Sequence, residues 1–82
     1  MFKNYTEILV REVISEYKRN HKTTALEAAE EDIIKTVLNR MQPKYFLSSS
    51  TEGEKKAYLL DKQLRLNALI EIAAAAGEVC HE

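Results

Sequence analysis

LNRMQPKY, Leu38 to Tyr45, decides how this chain folds, because an apolar-periodic run stops there without the glycine that commonly ends a helix. Pro43 disfavours helical geometry at Gln42, so the helix that precedes it should end near Met41. A lysine comes next, and then an aromatic segment, Tyr45, Phe46 and Leu47, too short for a strand by itself. It reads as an extended stretch lying on helices.

Upstream, Ile33, Val37 and Met41, flanked by Leu26, Ala29, Ile34 and Leu38, form one apolar stripe. Leu9, Val13 and Tyr17, with Ile8 and Ile14 alongside, form another, and predict a first helix from about Tyr5 to Asn20. Three start signals recur: NYTE (Asn4, Glu7), TALE (Thr24, Glu27) and TEGE (Thr51, Glu54). Each sets a capping side chain three residues before a glutamate, so that orphan amides are satisfied reciprocally and negative charge meets the positive helix end. They predict three helices.

Downstream of a solvated SSSTEG loop, the third helix should run unbroken from Glu54 to about Gly77, roughly 36 Å, longer than the two helices available to cover it. Leu66, Leu69, Ile70, Ile72 and Ala73 to Ala76 are apolar around most of its circumference. The expectation is an all-α, three-helix unit with a long third helix, assembled as a homodimer through that helix. The plainer alternative is a frayed alanine-rich tail.

The bulk composition agrees with a small helical protein. Of 82 residues, 45% are hydrophobic and 30% charged, with two glycines and one proline, which suits one folded domain over 1–82 rather than a disordered chain. A chain this short buries only about 60% of its unfolded surface, so a monomer would be marginal. A net charge of −1 supplies no basic field, so nucleic acid is not expected as a partner. No apolar run reaches the roughly 20 residues of a membrane span, and charges interrupt the start where a signal peptide would need an apolar core. The expected address is the cytoplasm. Cys80, the single cysteine, can form neither an internal disulfide nor a thiolate zinc site by itself. His21 lies in a connection and His81 beside Cys80, so no metal and no cofactor are expected. No phosphate loop, nucleophile elbow or paired-histidine motif occurs, and an enzyme is not expected. Asp32, beside Ile33 and Ile34, is a candidate for partial burial.

A short connection makes the first two helices antiparallel, with two consequences. The basic close of helix one, Lys18, Arg19, His21 and Lys22, lies beside the acidic start of helix two, Glu27, Glu30, Glu31 and Asp32. At the opposite end, Asn4, Tyr5 and Glu7 meet Asn39, Arg40, Lys44 and Tyr45. A guanidinium, an ammonium, amides, phenol rings and a helix N-terminus are the parts of a site for a phosphate-bearing aromatic ligand. The same residues also have structural uses: Asn4 and Glu7 as caps, Arg40 and Lys44 at the negative end of helix two, Tyr5 and Tyr45 as core rings.

NYTEILV together with EEDIIKTVLNRMQPKY resembles the ComFB family, named after a late competence protein of bacteria. Asn4, Tyr5, Glu7, Asp32, Ile33, Leu38, Asn39, Arg40, Pro43 and Tyr45 fit its pattern. The resemblance implies a small helical, usually dimeric fold without enzymatic activity. In some bacteria such proteins receive cyclic dinucleotides, including c-di-GMP and c-di-AMP; others are known by their association with competence. The alternative is a dimeric protein-protein adaptor linked to competence or motility, with an unidentified protein partner and no nucleotide ligand. Some relatives carry a zinc-holding cysteine cluster between helices one and two, where this chain has HKTTALEAAEED, so zinc is not carried over.

Overall fold

The structure, a computed structural model, describes residues 3–21, 24–47 and 49–79, whose regular elements are all helices, with no strand among them. Helix α1 spans Tyr5–Asn20, as its apolar periodicity requires. Asn4 caps it: extended at φ −83° and ψ 105°, it accepts the Thr6 amide on Oδ1 at 3.1 Å. Glu7 does not return the favour by capping Asn4, because its carboxylate binds Arg11 one turn on, at 3.0 Å. The charge pair within the helix replaces the reciprocal cap.

The expected second helix is two: α2, Thr24–Ala28, and α3, Glu30–Arg40, separated by Ala29. The interruption lasts one residue, and Leu26 and Ala29 both remain in the core. Thr24, the expected cap, is itself the first helical residue of α2, and the residue before it lies outside those described. At its far end α3 stops as the proline demands. Met41 turns extended at φ −111° and ψ 146° while its amide still donates to Val37 O at 3.1 Å.

The long third helix is also corrected to two, α4 over Glu52–Leu59 and α5 over Lys62–Val79, with an elbow at Leu60 and Asp61. Thr51 caps α4 through Glu54 N at 3.1 Å. Asp61, not recognised from sequence as a cap, accepts Leu64 N at 3.0 Å at the start of α5. Three expected helices are therefore five. The described residues extend 46 × 22 × 17 Å.

The core joins α1, α3 and α5. Leu9, Val10, Val13 and Ile14 meet Ile33, Ile34 and Val37, and α5 closes over both with Ala68, Ile72 and Ala75. Two alanines in that row let the α5 backbone come close, and Ile72 between them fills the gap. Helix α4 contributes no fully buried residue. Antiparallel packing also brings the expected charges together in part. Lys18 pairs with Glu30 at 2.5 Å, whereas Glu31 is met at 3.1 Å by Arg11, which lies outside the expected basic group. His21 instead stacks on Tyr17 with ring centroids 4.3 Å apart, and Asp32 is exposed rather than partly buried.

Candidate functional site

The corner between the start of α1 and the end of α3 exists, and backbone bonds build it. Once Pro43 has forced the chain out of the helix, residues 42–46 run extended beside the first turn of α1. Tyr5 N donates to Lys44 O at 2.7 Å, and Lys44 N donates to Asn4 Oδ1 at 3.0 Å. Asn4 thus serves two amides at once, its own helix's and the linker's. Thr6, fully buried, donates its hydroxyl to Gln42 O at 2.7 Å. That leaves the Tyr58 hydroxyl of α4 to donate to Thr6 Oγ1, at 2.9 Å. Among the described residues, every buried polar side-chain atom has a partner.

An extended chain points alternate side chains to opposite sides, and this fixes which ring faces inward. Phe46 turns in, edge-on to Tyr5 at 4.9 Å and to Tyr58 at 5.9 Å between centroids. Tyr45 and Leu47 turn out, 53% and 70% exposed. Reading the stretch as a uniform apolar segment missed this division. Period-two alternation over three residues was the available signal. Lys44 stays at the surface with Nζ 5.0 Å above the Phe46 ring.

The seven residues anticipated from sequence therefore divide. Asn4, Tyr5 and Lys44 are in direct contact, and Tyr45 and Asn39 are exposed. Glu7 belongs to a separate chain of charges, Glu7 to Arg11 to Glu31. The Glu31 bond, then the Glu7 bond, raise the Arg11 pKa further, and the same Arg11 bond lowers that of Glu31 below its ordinary value.

Arg40 turns toward α5 instead of toward Asn4. Its Nη2 donates to Glu78 at 2.8 Å and its Nη1 lies 3.7 Å from Glu71. The Glu78 hydrogen bond is the main cause of a pKa raised above the usual arginine value. Beside it a groove of about 300 Å³ opens between Met41, Gln42, Leu64, Asn67 and Ile70. Sequence reasoning did not find Glu71 and Glu78 as its partners, since nothing local relates residues so far apart. A second groove, about 460 Å³, lies across α5 between Tyr17, His21, Leu66, Leu69 and Ala73.

Among the described residues, no group of three or more His, Cys, Asp or Glu could hold a metal ion, and no helix is long and apolar enough to cross a membrane. Cys80 and His81 lie outside the described residues. Against known protein families, residues 3–82 match the late competence development protein ComFB. No curated protein and no solved structure matches significantly. The match spans essentially the whole chain, and the protein belongs to the ComFB family.

Proposed function

We propose that this ComFB protein is a non-enzymatic regulatory module of the cytoplasm, which receives a cyclic dinucleotide, c-di-GMP or c-di-AMP, at the corner of α1 and α3. The observation that carries the reading is the exposed pair Lys44 and Tyr45, fastened by the Asn4 and Tyr5 bonds to Lys44 just beyond the end of α3, which carries the exposed Asn39. Lys44 supplies a point charge for phosphate, Tyr45 a ring for stacking on a base, and Asn39 an amide for a base edge. Arg40 joins by exchanging a carboxylate for a phosphate oxygen, one charge-assisted bond for another. Because the linker backbone is already tied down, little order is lost on binding.

Titration calorimetry of the purified protein with c-di-GMP and with c-di-AMP tests the reading. Saturable heat with one of them is expected, weakened about tenfold or more by Lys44→Ala or Arg40→Ala, as loss of a charge-assisted bond implies. No heat with either at high micromolar concentration removes it.

A second reading, a dimeric protein-interaction adaptor without a nucleotide ligand, is favoured by a different observation. Leu66, Leu69 and Ile70 on α5 are 48%, 39% and 57% exposed, one helix face more apolar than water favours. A second copy of the chain is the proposed cover. An adaptor would hold its protein partner equally with and without nucleotide.

A further inference from the structure

The elbow between α4 and α5 falls where no residue breaks a helix. Residues 54–76 contain neither proline nor glycine, and Leu59, Leu60, Asp61 and Lys62 can all be helical. The bend instead survives because two side chains replace the backbone bonds it removes. In a continuous helix Leu64 N would donate to Leu60 O, and Leu59 O would accept from Gln63 N. Here Leu64 N donates to Asp61 Oδ1 at 3.0 Å, and Leu59 O accepts Arg65 Nη1 at 2.8 Å. Arg65 is anchored in turn on α1, to Glu12 at 3.3 Å and Glu16 at 2.9 Å.

We propose that the elbow is a two-state hinge, pinned bent by Arg65, whose release joins residues 52–79 into one helix and lifts α4 off the corner. At the elbow itself the two forms exchange hydrogen bonds nearly one for one, so the gap between them is set by the contacts α4 makes elsewhere. Helix α4 is the piece that moves, because it buries no residue fully while α5 is held by Ala68, Ile72 and Ala75. Its departure breaks the Tyr58 bond to Thr6 and the Tyr58 contact with Phe46, opening the inner wall of the corner. The hinge stands on its own geometry and needs no ligand.

Spin labels at Glu54→Cys and Ala74→Cys in a Cys80→Ser background read it directly, in samples diluted with unlabelled protein so that only distances within one chain count. Twenty residues of continuous helix separate the labelled backbones by about 30 Å, and a bent chain brings them closer. The bent distance should dominate in the parent. Asp61→Ala combined with Arg65→Leu should raise the long-distance population at least about tenfold from a minor level. In the parent, 1 M salt, where the Debye length is about 3 Å, should raise it too by weakening the Arg65 pairs. The salt series decides if the double variant fails to fold. A distance that stays short in salt and in any folded variant overturns the hinge.

Discussion

At the scale of single residues, Asn4 does the most with the least. Its one carbonyl oxygen caps α1 and fastens the linker, so Asn4→Ala should cost about 1–2 kcal/mol, and Asn4→Asp much less. Each kcal/mol corresponds to a Tm fall of roughly 4–8 °C for a chain of this size, readable by thermal unfolding. Thr6 makes a comparable case from inside the protein. Thr6→Val strands Gln42 O and the Tyr58 hydroxyl, and should destabilise by about 1–3 kcal/mol in urea unfolding, whereas Thr6→Ser should nearly preserve stability. Glu31 carries a pH signature. Its folded pKa is depressed by Arg11, so its stabilising contribution is present above the ordinary glutamate value, 4.5, and is lost as the pH falls through the depressed folded value. Carboxyl NMR should place the Glu31 midpoint below that value in the parent, and Arg11→Ala should return it upward.

At the scale of elements, the sequence is legible wherever neighbours in the chain decide the outcome. Asn4 and a regular stripe are enough to set α1 at Tyr5–Asn20, and Pro43 is enough to end α3. The elbow after Leu59 was not legible, because its determinant is Arg65 reaching glutamates on another helix, about fifty residues away in sequence. Asp61 was a readable cap, three residues before Leu64, but inside an apparently continuous helical run it looks like one more surface charge. The corner divides in the same way. That the ends of α1 and α3 meet followed from a short connection, while the direction Arg40 takes depends on acids of α5 that only the fold brings near. Close approach of α5 gives its own prediction. Ala68→Leu overfills a fully buried site and should cost about 1–3 kcal/mol, while the same change at the exposed Ala74 should cost little. Denaturant midpoints of the two variants separate these outcomes.

At the scale of the whole molecule, two surfaces remain to be explained by function: the corner with Lys44 and Tyr45, and the apolar face of α5. If a second copy covers α5, Leu66→Lys with Ile70→Lys should halve the mass seen by light scattering without changing the helical circular dichroism, since both side chains are exposed within one chain. A parent that is already monomeric would remove the dimer. The corner is the more specific claim. Its most direct test is a heteronuclear NMR titration of the labelled protein with c-di-GMP and with c-di-AMP, tracking each backbone amide. One of the two should shift the amides of Tyr5 and Lys44, which bond across the corner, together with those of Asn39, Arg40 and Tyr45. Spectra unmoved by both, or shifts confined to regions away from these residues, would contradict the site.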